Sequence, residues 1–197
     1  MSVGLLSFLL VLALPLVWTA LAYNRLVVLR NALRNAFAQI DVQLKRRHDL
    51  VPGVVEVARA YLKHERMTLD SVVAARQGAA AARASAVARW PDAHAVDRLD
   101  AAELELSGAV GRLFAVVESH PELKADGTLE RLTEELVSTE NRIGFARQVY
   151  NDAVTDYNDG VERFPGNLVA VAFAFRRASL LHATRGVIER EPVAVTA

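Results

Sequence analysis

Apolar residues in this chain follow two patterns. From Ser2 to Tyr23 they run almost without interruption, SVGLLSFLLVLALPLVWTALAY, and no charged side chain precedes Arg25. Beyond that point they recur at spacings of three and four, the period of a helix that turns one face to a core. Leu26, Leu29, Leu33, Phe37, Ile40 and Leu44 form the first such stripe, which starts directly after the apolar run and predicts a helix continuing it without a linker. His48-Asp49-Leu50-Val51 before Pro52 reads as a tight turn, because a residue preceding proline resists the helical conformation and proline suits a first helical position. A second helix carries Val54, Val57, Tyr61, Leu62, Leu69 and Val72 into an alanine-rich stretch, Gln77 to Arg89, whose small side chains leave little to pack and whose end is expected to be exposed or mobile. Asp97 or Asp100 would cap a third helix, with Leu106, Val110, Leu113 and Val117 inward, ending at Ser119-His120-Pro121.

The fourth helix, capped by Thr128, has a sustained heptad: Leu129, Leu132, Leu136, Ile143, Ala146, Tyr150, Val154, Tyr157, Val161 and Phe164. From Thr128 to Phe164 it would be about 55 Å long, against about 36 Å for Asn24 to Arg47, which predicts a protruding or kinked member. Short connections imply antiparallel neighbours. The expected fold is therefore all-α: an elongated antiparallel four-helix bundle preceded by one N-terminal transmembrane helix. Its domains are a transmembrane anchor over 1–23, a helical bundle over 24–180 and a flexible C-terminal tail over 181–197. The alternation Val169, Val171, Phe173, Phe175 fits a short strand or a short buried helix. Helix order returns Leu168 to Phe175 to the lipid side, where it would pack on the end of the bundle or lie at the interface.

The apolar run is about 20 residues, roughly 30 Å as a helix, which matches a bilayer core. Val3 and Leu10 fall in its body, Pro15 would kink it, and Trp18 and Tyr23 sit where an interfacial aromatic belt is expected. Ala20-Leu21-Ala22 also fits a signal-peptide cleavage site, but no basic residue precedes the run, so a retained anchor is the preferred reading. Arg25, Arg30 and Arg34 follow the span with no acid before Asp41. The positive side predicts a single-pass protein of the cytoplasmic (inner) membrane, with its N-terminus outside and its bundle cytoplasmic.

Composition narrows the chemistry. The 197 residues include no cysteine, which excludes disulfides, zinc-thiolate sites and thiol nucleophiles. Lys and Arg balance Asp and Glu at 23 each, yet Asn24 to Arg47 is basic and Asp97 to Phe164 is acidic, so the first and last long helices are complementary. Lys45-Arg46-Arg47 lacks the interleaved aromatics of a nucleic-acid groove, and no nucleic-acid partner is expected. No histidine has a glutamate three residues before it, which argues against a di-metal bundle site. Asp152, Asp156, Asp159 and Glu162 lack a calcium-loop spacing and read as a solvated face. No phosphate-binding, nucleophile-elbow or dinucleotide glycine pattern occurs, so neither catalysis, a cofactor nor a small-molecule substrate is expected.

The residues that stand out are polar ones bordering the heptad. Tyr150-Asn151 and Tyr157-Asn158 lie seven apart on one helix face, and Tyr23-Asn24 opens the first helix. Glu140, Asn141, Arg142 and Arg147 form a second cluster, opposite which Asp41, Arg46, Arg47 and Asp49 could supply partners. Buried polar groups must be satisfied, so these residues predict an internal hydrogen-bonded network that specifies helix pairing. A ligand or peptide groove is the alternative reading of the same residues.

At these positions the sequence resembles the LemA family of bacterial membrane-anchored helical proteins. The resemblance is carried by Tyr23-Asn24, the run from Ile40 to Pro52, His64-Glu65, Ala75-Arg76, Pro121 to Lys124, Thr139-Glu140-Asn141-Arg142-Ile143, Ala146-Arg147, the Tyr-Asn pairs at 150 and 157, and Phe164-Pro165. It covers about Leu5 to Phe175, with Gly53 standing where an asparagine is usual. It implies an antiparallel helical domain behind one N-terminal anchor, with the N-terminus outside and no enzymatic activity or cofactor. The expected function is a membrane-tethered, non-enzymatic module that binds another protein. The alternatives are a structural homo-oligomer or a small-ligand or metal binder using Glu140, Arg147, Asn151 and Asn158.

Overall fold

The computed structural model describes residues 2–182, with side chains from residue 13 onward. It is all-α: α1 (Ser2–Tyr61), α2 (Arg66–Arg89), α3 (Ala93–Glu118), the single turn α4 (Pro121–Lys124), α5 (Gly127–Glu162) and the short α6 (Gly166–Ala172). Among the described residues no strand occurs, and Val169 to Phe175 forms α6 and its exit instead. Cross-helix pairs set the directions. Asp41 of α1 meets Arg83 of α2, whereas Arg47 of α1 meets Glu140 of α5 and Tyr61 meets Asp126 at the head of α5. The long helices therefore alternate up and down.

The expected turn at His48 to Val51 does not form, and α1 passes through Pro52 unbroken. Proline inside a helix costs about 3 kcal/mol. Val51, Val54 and Val55 are buried in continuation of the Leu44 stripe, and at roughly 1.5 kcal/mol or more each they outweigh that cost. Pro52 itself faces outward, so the ring meets solvent. The chain turns instead at Leu62 to Glu65, where the polar run Lys63-His64-Glu65-Arg66 interrupts the apolar period. Carried on to Tyr61, the part of α1 beyond Tyr23 reaches about 57 Å and matches α5 at about 54 Å. No helix protrudes.

The alanine-rich stretch ends exposed at Val87 to Arg89, as expected, but the expectation that it leaves little to pack is corrected. Ala79 and Ala86 are fully buried, with Ala75 nearly so, at spacings of four and seven along one face. Small side chains let α2 lie close to its neighbours, so alanine here is the packing surface and not an absence of one. Two caps move as well. Asp92, not Asp97 or Asp100, caps α3 by accepting from His94 N, and Asp126, two residues before Thr128, caps α5 by accepting from Thr128 N and Leu129 N. The three acceptor bonds on Asp126, those two and one from Tyr61, hold its carboxyl below the usual range.

The core has two parts. The first, at the N-terminal end of the bundle, includes Leu26, Leu33, Phe37, Ile40 and Leu44 of α1, Leu99 of α3, and Ile143, Tyr150, Val154 and Tyr157 of α5. The second, at the far end, includes Val51 to Leu62, Leu106 to Val117 and Leu129 to Leu136. Of the heptad, Phe164 points to solvent. The C-terminal half of α6 turns out through a left-handed Ala174, φ 56°, with Phe175 N donating to Ala170 O and Ala174 N to Val171 O, a helix-ending motif that usually holds glycine. Of the expected tail, Leu181 is buried and His182 is held, while residues 183–197 lie outside the described residues.

Candidate functional site

The gap between the two core halves is filled by charge. Leu44 belongs to one half and Val51 to the other, and Arg47 and His48 sit between them. Leu99 and Leu106 flank Glu103 in the same way, and Ile143 and Leu136 flank Thr139 and Glu140. Arg47, only 1% exposed, donates from Nη1 to Glu103 Oε2 at 3.1 Å and from Nη2 to Ser107 Oγ at 2.7 Å. Its Nε stands 2.8 Å from Glu140 Oε1, a close ion pair whose N–H is not aligned on the oxygen. His48 Nε2 lies 2.7 Å from Glu103 Oε1, and a carboxylate partner places the ring proton on that nitrogen. Its Nδ1 is buried with no partner.

Three helices thus contribute to one transverse polar layer. Two carboxyl groups share one guanidinium, and burial pushes the Glu140 carboxyl above the usual range, against the pull of Arg47. A carboxyl raised in the folded state binds its proton more tightly there than in the unfolded chain, so its contribution to stability falls as pH rises from about 4.5 through the folded value. Glu140→Gln removes that fall. In thermal unfolding followed by circular dichroism, the variant should gain on the wild type as pH rises above 4.5. A difference that shrinks over that range would contradict the assignment.

The expected facing clusters are only partly brought together. Arg47 meets Glu140, and Arg46 merely approaches Glu135 at 3.9 Å on the surface. Asp41 pairs with Arg83 at 2.7 Å and Asp49 with Lys45 one turn away. Asn141 and Arg142 are exposed and line a shallow groove with Gln39, Val42, Gln43 and Phe145, while Arg147 lies half-buried near Glu140. His48, Glu103 and Ser107 were not anticipated. Glu103 and Ser107 are four apart on the inward face of α3, among Leu99, Leu106 and Val110, and that placement was the available signal.

The Tyr-Asn pairs do something different: they grip the chain's own C-terminal segment. Asn158 Nδ2 donates to Ala178 O at 3.0 Å and its Oδ1 accepts from Ala178 N at 2.9 Å. Asn151 treats Leu181 identically, at 2.8 and 3.0 Å. Tyr150 OH donates to Ser179 O at 2.9 Å, and burial pushes its phenol well up. Tyr157 is buried between, its phenol raised by the same cause, while Tyr23 stacks on Phe173 and Phe175 at centroid distances of 4.8 and 5.8 Å. Asp100 of α3 accepts from His182 N and lies 2.8 Å from its Nδ1. Among the described residues no group of three or more His, Asp or Glu could hold a metal ion, and Arg47, Glu103 and Glu140 do not line the groove at Asn141 and Arg142.

The sequence model of the LemA family matches residues 36–196. The chain belongs to the LemA family. Similar relatives include magnetosome protein MamQ of Magnetospirillum gryphiswaldense, 25% identical over 175 residues, covering 81% of this chain and 64% of the relative. Magnetosome proteins MamQ 1 and MamQ 2 of Paramagnetospirillum magneticum are each 39% identical over 70 residues, 36% of this chain and 26% of the relative. The matched region spans less than two thirds of the length of these curated relatives.

Proposed function

We propose that the chain is a membrane-tethered, non-enzymatic helical module that binds another protein. The observation that carries the reading is the continuity of α1: a helix with no charged residue before Arg25 runs straight into the bundle. Leu14, Leu16, Val17 and Leu21 on it are exposed, an apolar surface that lipid would cover. Among the described residues no helix is long and apolar enough to cross a membrane. The side chains of residues 1–12, Val3 and Leu10 among them, lie outside the described residues, so the span rests on the sequence from Ser2 to Tyr23. Support comes from the same end of the bundle. Phe164, Leu168, Val171 and Phe173 point outward there, 79% and 85% exposed at Phe164 and Val171, with Arg25, Arg163, Arg176 and Arg177 around them. An apolar rim with cations suits the headgroup layer.

A non-enzymatic role is supported by where the polar groups are. Among the described residues, Arg47, His48 and Glu103 of the charged layer are buried in the core and Glu140 is largely so, away from solvent-borne substrate. Exposed Val42 and Phe145, which share the groove between α1 and α5, favour self-association as a second reading. Sedimentation of the detergent-solubilised chain separates the two, since a monomer at high concentration removes it.

Because the chain has no cysteine, topology can be read directly. In spheroplasts, a membrane-impermeant maleimide should label Ser2→Cys, while Ser138→Cys on exposed α5 should label only after lysis. Labelling of Ser138→Cys from outside, or release of the protein by alkaline wash, would overturn tethering in this orientation. In-cell crosslinking should recover a second protein, and recovery of this chain alone would count against the interaction role.

A further inference from the structure

α3 and α5 barely approach each other as helices, and the segment Ala178 to His182 bonds to both, to α5 through Tyr150, Asn151 and Asn158 and to α3 through Asp100. Asn151 and Asn158 are seven residues apart on α5, about 10.5 Å. The residues they grip, Leu181 and Ala178, are three apart, which spans about 10 Å only if the chain is fully extended. The segment therefore runs antiparallel to α5 as an extended strand that offers every third residue to one face, the repeat of a polyproline-type chain.

We propose that this Asn151–Asn158 seam is a groove for an extended segment of a partner protein with the pattern small-x-x-leucine, and that residues 176–182 occupy it in cis when the partner is absent. The proposal rests on the interaction-module reading and names the chemistry of the partner. Four of the five hydrogen bonds from α5 come from two carboxamides, and all five go to main-chain N–H or C=O groups that any extended peptide carries. Side-chain demand is confined to two positions. Leu181 is buried, and Ala178 is half-buried beside Asn158, whereas Arg176, Arg177 and Leu180 face outward. The hold on the cis segment also has a release point, because Ala174 at its base sits in the left-handed region that disfavours a side chain. The remaining ties, Arg177 to Glu162 at 2.6 Å and His182 to Asp100, are on the surface.

The full chain in nanodiscs tests this with a fluorescent peptide of residues 176–182, RRASLLH. Leu181→Asp should eject the cis segment and raise affinity for the peptide about tenfold or more, because a blocked groove weakens apparent affinity by the fraction that is open. Adding Asn151→Ala and Asn158→Ala should abolish the gain, and a peptide with aspartate in place of its last leucine should not bind. In the unmutated chain, millimolar peptide should speed amide exchange at residues 176–182, a reading that does not depend on any variant folding. Unchanged exchange in the wild type together with no binding by Leu181→Asp would overturn the groove. So would binding indifferent to the asparagines, or a concentration-dependent dimer of the wild type in which the copies exchange this segment. Recovery of a crosslinked partner alongside a failed peptide would overturn the groove and leave the module reading standing.

Discussion

Arg47→Met is expected to destabilise the bundle by about 3 to 5 kcal/mol, the usual consequence of removing one partner from a buried ion pair. Against a domain stability of about 5 to 15 kcal/mol, that is a large fraction. The guanidinium is the one buried cation between Glu103 and Glu140, and it also donates to Ser107. Without it, Glu103 keeps only its contact with His48 and Glu140 only the charge of half-buried Arg147, in a layer closed above and below by apolar side chains. They would have to take up protons, so the loss should be smaller in acid than at neutral pH. Arg47→Lys should recover little, since one ammonium on a flexible stem cannot reproduce three contacts from a planar fork. Replacing Arg47, Glu103 and Glu140 together by apolar residues of similar size should restore most of the stability, because an ion pair in a dry interior offsets its own desolvation poorly. Chemical unfolding in detergent measures all three. A loss under 1 kcal/mol for Arg47→Met would mean that the layer is hydrated and the ion pairs are incidental.

What the sequence made legible depended on how far each signal reached along the chain. The stripes from Leu26 to Leu44 and from Leu129 to Val161 are local and periodic, and both helices are where they were expected. Pro52 was misread because its local rule is strong, while the valines that outweigh it gain their energy from a core shared with other helices, which the local pattern does not contain. Alanine was misread for the opposite reason, since its burial is set by how close a neighbour comes. At the candidate site, the clusters that hold Glu140 and Arg47 were set opposite one another because charge complementarity is visible at long range in a sequence, and these two residues lie 2.8 Å apart. Glu103 and His48 were missed because a single polar residue on an apolar face becomes meaningful only when its partner's level in the bundle is known. The Tyr-Asn repeat was recognised as a built feature, yet what it holds is main chain, and a main-chain partner leaves no residue-type signature to find.

Gly166→Ala is expected to cost about 2 to 3 kcal/mol, the upper part of the range for forcing atoms into a filled site. A Cβ on Gly166 would collide with the carbonyl oxygen of Gly160, which is backbone in the last turn of α5 and cannot rotate aside. Relief requires α6 to move away from α5. That movement would unseat Val169 and Ala170 from the core and shift Phe173 and Phe175 off Tyr23. Two other glycines calibrate the size. At Gly160 the added carbon meets Leu29 Cδ1 at 2.8 Å, the far end of a flexible side chain, so Gly160→Ala should cost only about 1 kcal/mol, the lower end of the same range. At Gly78, in the exposed middle of α2, nothing lies within 4 Å, and Gly78→Ala should stabilise by about 0.8 to 1 kcal/mol through helix propensity alone. Thermal unfolding of the three variants should therefore give one large loss, one small loss and one gain. Because α6 sets where the chain enters the seam between α3 and α5, Gly166→Ala should also speed amide exchange at Ala178 and Leu181, whereas Gly78→Ala should not. A neutral Gly166→Ala with those amides still protected would show that α6 is not seated on α5 as described.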